Sequence, residues 1–273
     1  MISLLQLLKE VQGKPKALIL AGAPGAGKGT VLGDLDLKGL KVFNLDDTIL
    51  ALSKAEGFSL NQKDTDVENR SAFMKAMATA TSQLKGNPKK GIKGDIPQAI
   101  EDKESFILDG TSASYAQTKK LVDQLNEAGY DVMMLYVYVD LETSLQRNEK
   151  RFEKSGGEDR SLMPSAVYRT WLQVAKNFDE YQQLFGDNFV PFSNVKGGET
   201  MKNVENILQT YIQPWKPKDA QPKTEKEIER SRKQAIKLNQ EMQDFLNSDA
   251  TKNIINNSYS KEEAQSKING FLN

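Results

Sequence analysis

Residues 22–30, Gly-Ala-Pro-Gly-Ala-Gly-Lys-Gly-Thr, gather four glycines around one lysine. Glycine lets the backbone bend so that successive N–H groups turn inward, and such a turn cradles phosphate. The run follows an apolar stretch, "KALILAG", and opens a helical pattern, the context a phosphate-binding loop requires. A helix N-terminus there adds partial positive charge. The nucleotide-binding set is then Gly22, Ala23, Pro24, Gly25, Ala26, Gly27, Lys28, Gly29 and Thr30, with Lys28 reaching the β- and γ-phosphates. The residue after such a lysine is usually Ser or Thr, whose hydroxyl helps hold Mg²⁺; here it is Gly29, and Thr30 follows. Thr30 is a candidate for the ion or for the α-phosphate, with the ion held mostly through water and carboxylates.

Carboxylates occur where such a site needs them. "ILDG" puts Asp109 at the end of an apolar strand, where a carboxylate orients Mg²⁺ or its water. "FNLDD" puts Asp46 and Asp47 at the end of another, where a carboxylate can take the proton of an attacking hydroxyl. Asp47 also suits a helix N-cap, since "DDTILALSKA" looks like a helix start, and Asp109 also suits a turn. Asp46 is the favoured general base.

The residues that are missing narrow the chemistry. The 273-residue chain has no histidine and no cysteine. Any base must be Asp, Glu, Lys or Tyr, or a water that one of them holds. A zinc site built on Cys or His is excluded, so the implied metal is a hard, oxygen-bound one such as Mg²⁺. Disulfides are excluded too, and a reducing, cytoplasmic setting is expected. Acidic and basic residues balance at 37 each, so no global field attracts nucleic acid or anionic membrane. No apolar run reaches the roughly 20 residues of a membrane span.

A cationic segment lies downstream. Residues 144–171 carry Arg147, Arg151, Arg160 and Arg169. Arg147 and Arg151, four apart, share a helix face. Such arginines suit charge stabilisation of a moving phosphoryl group, and Gly156-Gly157 suggests a mobile lid over about 144–170. Nearby Glu149, Glu153, Glu158 and Asp159 also allow a salt-bridged surface helix, but the phosphate loop upstream favours the lid.

Five apolar segments must hold these residues: 16–22, 41–47, 105–110, 131–140 and 187–192, the last interrupted by Pro191. Helical patterns lie between them, for example at 112–129 and 164–185. Continuous apolar strands alternating with helices predict an α/β, P-loop NTPase fold: a parallel five-stranded sheet with helices on both faces. Leu4, Leu5, Leu8 and Val11 predict a short amphipathic N-terminal helix. Residues 85–104, rich in Gly, Pro and Lys, read as a surface loop or a small insertion near a substrate entrance. The domain layout is a kinase domain over 1–213, a linker over 214–223 and a helical extension over 224–273. In the extension, Ile228, Ile236, Leu238, Met242 and Phe245 form a stripe, and Ser260 with Glu263 caps a final helix.

The motif order over about 16–195 resembles the P-loop kinases that include polynucleotide 5′-kinases, zeta-type toxins and chloramphenicol phosphotransferases. The likeness is carried by "GAPGAGKGT" (whose Gly-Thr ending is that of adenylate kinases), "FNLDD", "ILDGT", and "QRNEKR" followed by Pro164 and Arg169. It implies Asp46 as general base, and Arg147 and Arg151 on the transferring phosphate. Arg160, in an insertion, is expected on the nucleotide side. Polynucleotide kinases carry an arginine where this chain has Ile49, and adenylate kinases follow the third strand with Gly-Phe-Pro-Arg where this chain has "GTSAS". The texture of 109–148 is most similar to the zeta-toxin-like group, which acts on small molecules such as nucleotide sugars.

The expectation is an ATP- and Mg²⁺-dependent kinase for a small-molecule hydroxyl. One alternative is a nucleotide-binding scaffold that docks a protein partner through 224–273. Another is a nucleic-acid end kinase, which a local basic cluster such as "KGNPKKGIKG" keeps open and which the balanced charge and Ile49 do not favour.

Overall fold

The computed structural model describes residues 13–33, 40–62, 65–154, 160–195, 219 and 221–272. The expected N-terminal helix and the Gly156-Gly157 pair lie outside the described residues, as does most of the 214–223 linker.

Five strands form one sheet: β1 (Lys16–Ala21), β2 (Lys41–Asn44), β3 (Phe106–Asp109), β4 (Asp131–Tyr138) and β5 (Phe189–Ser193). The order is β2-β3-β1-β4-β5 and every pair is parallel. All five predicted strands are present, each within three residues of its expected ends. Pro191 is accommodated because its carbonyl faces the outer edge of β5, where it accepts from the N–H of Tyr259 at 2.7 Å. The proline nitrogen faces the same way, so its missing N–H removes no bond to β4.

Side chains alternate along β1. Ala17, Ile19 and Ala21 join a core with Phe106, Met134, Tyr136 and Trp171. This face is covered by α4 (Asp95–Glu101), α5 (Tyr115–Glu127), α7 (Pro164–Lys176) and α8 (Phe178–Phe185). Leu18 and Leu20 point the other way, into a core with Leu135, Val137 and Val190. On that face the helix after the phosphate loop, α1 (Lys28–Leu32), has only five residues. A third cluster, with Ile49, Phe58, Leu60, Phe73, Ala76 and Ala80, lies between α2 (Leu45–Glu56) and α3 (Val67–Lys85).

Three expectations change. Residues 85–104 are not a solvated loop: Pro88–Lys90 forms a 3-10 turn, and α4 buries Ile96 and Ala99. Pro97 is compatible with α4 because it falls in the first turn, where a backbone N–H would have no intrahelical partner to lose. The 164–185 helix is two, α7 and α8, meeting at Asn177.

The C-terminal helices are part of the core, not an appendage. These are α9 (Glu225–Asn247), α10 (Ala250–Asn256) and α11 (Lys261–Leu272). Met242 and Ile254 are buried in the first core, Ala264 and Ile268 in the second. The stripe on α9 is buried only at its C-terminal end, around Met242; Ile228 and Ile236 are 47% and 56% exposed. The Ser260/Glu263 cap forms as expected: the N–H of Ser260 donates to Glu263 Oε2 at 2.8 Å, and the N–H of Glu263 donates to Ser260 Oγ at 3.2 Å. No described helix is long and apolar enough to cross a membrane.

Candidate active site

The phosphate loop leaves β1 at the centre of the sheet, beyond the carboxyl ends of the strands, where open parallel sheets bind ligands. Gly25 sits at φ 77°, and a Cβ there would lie 2.9 Å from the Ser144 carbonyl oxygen. Only glycine fits both constraints. At Gly29 nothing lies within 4 Å of an added Cβ, so that glycine answers no packing demand.

The loop is tied back from outside. Ser144 Oγ donates to the Pro24 carbonyl at 2.6 Å, and Asn194 Nδ2 to the Ala26 carbonyl at 3.0 Å. Arg147 Nη1 donates to the carbonyls of Gly25 at 3.1 Å and Ala26 at 3.4 Å. Ser144 and Arg147 belong to α6 (Leu141–Lys154), which is opened by the buried Asp140 capping the N–H of Thr143 at 2.7 Å. From the other side, the N–H of Gly22 donates to the Thr111 carbonyl at 3.1 Å, and Ser112 Oγ to the Leu20 carbonyl at 2.8 Å. With its carbonyls held outward, the loop has the polarity of an anion cradle.

Lys28 Nζ donates to the Gly22 carbonyl at 3.4 Å and lies 4.0 Å from Asp109 Oδ1. Burial pulls the Lys28 ammonium below its ordinary pKa, against the attraction of Asp109 and Asp46. Burial likewise pushes the Asp109 carboxyl up, against the attraction of Lys28. For both groups desolvation outweighs the pairing.

Asn44 links the two acidic positions. Its Nδ2 donates to Asp109 Oδ2 at 3.1 Å, and its Oδ1 accepts from the N–H of Asp46 at 2.8 Å. Asn44 ends β2 and is the N-cap of α2; Asp47 is not the cap but an exposed first-turn residue. Asn44 went unnoticed in the sequence, where its signal was its place just before the "LDD" helix start.

Asp46 Oδ2 pairs with Arg160 Nη2 at 2.9 Å, both side chains mostly buried. The strand-like segment around Arg160 is fastened to the α2–α3 connection. The N–H of Ser161 donates to the Leu60 carbonyl at 3.2 Å, and the N–H of Gln62 to the Ser161 carbonyl at 2.9 Å. Buried Asn148 holds the next residue, donating to the Leu162 carbonyl at 2.9 Å. Arg151 is exposed on α6, and its charge acts on both Lys28 and Asp109. Lys28, Asp46, Asp109, Arg151 and Arg160 therefore converge. Arg147 instead braces the loop from behind, and Arg169 is exposed on α7. The Thr30 side chain lies outside the described residues.

A family model described as Zeta toxin matches residues 73–198, from within α3 to just beyond β5. The match covers under half of the chain and leaves the phosphate loop and Asp46 outside it. No curated protein matches the chain. Among solved structures, the native AvrRxo1-ORF1:-ORF2 complex aligns at a TM-score of 0.49 and 20% identity, covering 70% of this chain and 58% of that one. The PezAT chromosomal toxin-antitoxin system of Streptococcus pneumoniae aligns at 0.44 and 15%, covering 72% and 84%. AvrRxo1-ORF1:-ORF2 with ATP aligns at 0.46 and 15%, covering 97% and 83%. In its phosphate loop, its parallel sheet and its match over 73–198, the chain is similar to the P-loop kinases of the zeta-toxin group.

Proposed function

We propose that the chain is an ATP-dependent kinase that transfers the γ-phosphate to a hydroxyl of a small molecule, a nucleotide sugar being the class its zeta-toxin likeness favours. The observation that carries this reading is the convergence of Lys28, Asp109 and the Asp46–Arg160 pair at the carboxyl ends of adjacent strands. In a chain without histidine, Asp46 is the carboxylate placed to take a proton. The acceptor oxygen bonds to the γ-phosphorus, the bond to the ADP oxygen breaks, and the hydroxyl proton passes to Asp46. Lys28 neutralises phosphate charge, while Arg151 and Arg160 stand near enough to share it.

Mg²⁺ fits the donor set. Asp109 is a hard oxygen donor whose ionised form burial disfavours, and a divalent cation beside it restores that form. Among the described residues no cluster of three acidic groups stands ready to cage a metal. Asp109, through water and the nucleotide's own oxygens, would hold the ion, which supplies charge neutralisation on the β- and γ-phosphates.

The structure offers less to the alternatives. The scaffold reading rested on a C-terminal tail the fold does not need, and three of its helices bury side chains in the core. Ile228 and Ile236 on α9 and Ile255 on α10 are exposed apolar side chains in that region to which a protein partner could dock. Ile49, standing where polynucleotide kinases have arginine, is buried between α2 and α3.

The test is ATP turnover with Mg²⁺ by wild type and Asp46→Asn against nucleotide sugars, nucleosides and 5′-hydroxyl oligonucleotides. Phosphate on one acceptor, lost in Asp46→Asn while ATP still binds, is the expected result. Unchanged turnover in the variant sinks Asp46 as base, and ATP binding with no transfer to any acceptor moves the weight to the scaffold.

A further inference from the structure

The helix that carries Lys28 is held at its far end by the C-terminal helix. α1 stops after five residues at Gly33, which leaves carbonyls at its end without intrahelical partners. It is also too short to cover the face of β1 and β4 beside it. α11 supplies both needs. Ala264 and Ile268, fully buried, pack in one cluster with Leu18, Leu20 and Val31. Between them in the chain, Gln265 extends its side chain so that Nε2 donates to the Val31 carbonyl at 2.8 Å.

A second tie runs through the sheet edge. Tyr259, just before α11, forms a parallel bridge with Phe192 of β5, and Asn194 at the end of β5 donates to the Ala26 carbonyl. The C-terminal segment is thus tied directly to Val31 after Lys28 and, through the edge of β5 and Asn194, indirectly to Ala26 before it.

We propose that Gln265 is a positioning residue for the nucleotide site, acting through Val31 and α1 on Lys28. α11 is then part of that site rather than an extension beside it. The proposal rests on the nucleotide-binding half of the function above and on neither the acceptor nor the identity of the base.

The experiment measures ATP affinity directly on the full chain, with melting temperature and kcat at saturating ATP alongside. Wild type is compared with Gln265→Ala, Gln265→Glu, Gln265→Lys and the exposed control Ser266→Ala. Gln265→Ala removes one donor and is expected to weaken ATP binding about three- to tenfold. Gln265→Glu sets an acceptor against the Val31 carbonyl and weakens it further. Gln265→Lys keeps an N–H donor of sufficient reach and restores affinity to about twofold of wild type. The kcat at saturating ATP stays near wild type throughout, and melting temperature falls by no more than a few degrees. ATP affinity unchanged in both Gln265→Ala and Gln265→Glu overturns the proposal. So does a fall in kcat and melting temperature that tracks the loss of affinity, or failure of Gln265→Lys to rescue. Failure of wild type to bind ATP overturns the nucleotide reading itself, which is a different result.

Discussion

Lys28 and Asp109 stand 4.0 Å apart, yet burial works against the charge on each. Because the folded-state pKa of Lys28 is lowered, its charge costs the fold stability at neutral pH, a cost that fades as pH rises toward the ordinary lysine value of 10.5 and is gone above it. Because that of Asp109 is raised, its charge is costly at neutral pH, and the cost fades as pH falls toward the ordinary carboxylate value of 3.8 and is gone below it. The double variant Lys28→Met/Asp109→Asn is therefore expected to melt on the order of 2–4 °C higher than wild type at pH 7. The gain should narrow as pH falls toward 3.8 and as it rises toward 10.5, in melts across that range, while turnover is abolished. No gain at pH 7 would show that the pair supports the fold. Lys28, Asp46 and Asp109 could be singled out in the sequence because each ends or soon follows an apolar run that announces a strand. Asn44 has a local signal only for its cap; its link to Asp109 spans β2 and β3, and strand adjacency is not written in the chain.

At the scale of elements, α6 separates two arginines that looked equivalent. Arg147 and Arg151 share a face by spacing, but one turn of helix sends Arg147 to the loop carbonyls and leaves Arg151 nearer the charged cluster. Arg147→Ala is expected to raise KM for ATP several-fold at near-constant kcat, and Arg151→Ala to lower kcat. Steady-state kinetics separate the two, and the reverse pattern would exchange their roles. The glycines divide in the same way. Gly25→Ala forces a Cβ against Ser144 and Arg147 at positive φ, and is expected to cost about 1–3 kcal/mol and to abolish ATP binding. Gly29→Ala enters open space inside a helix and is expected to stabilise by about 0.5–1 kcal/mol in urea denaturation. Residues 85–104 show how turn signals hide an element. Gly86 and Gly94 do pack backbone to backbone, but the seven-residue helix after them is too short to announce a period.

For the whole molecule, the sheet was legible because its central strands, β1 and β4, are continuous apolar runs buried on both faces, although β2 at the edge leaves Val42 exposed. The division at residue 213 was less so. A charged helix with a thin stripe looks like an arm, and only the folded chain shows Met242 and Ile254 buried in one core and Ala264 and Ile268 in the other. Ile268→Ala is expected to cost about 2–5 kcal/mol, as buried large-to-small changes do. A chain ending at residue 223 is expected to lose its cooperative melt, because one sheet face then loses the helix that covers it. A sharp thermal transition in that truncation would restore the view of a separate arm.

The tie from Gln265 to Val31 joins residues 234 apart in sequence. During synthesis the phosphate loop leaves the ribosome long before the helix that steadies it. The nascent chain carries the nucleotide-binding signature early and gains its brace only when translation reaches α11. A chain stalled before residue 261 should therefore retain ATP poorly compared with the released product, which filter binding on arrested ribosomes can measure. Such an order of assembly would make the emergence of α11, rather than early folding of the loop, the event on which ATP retention depends.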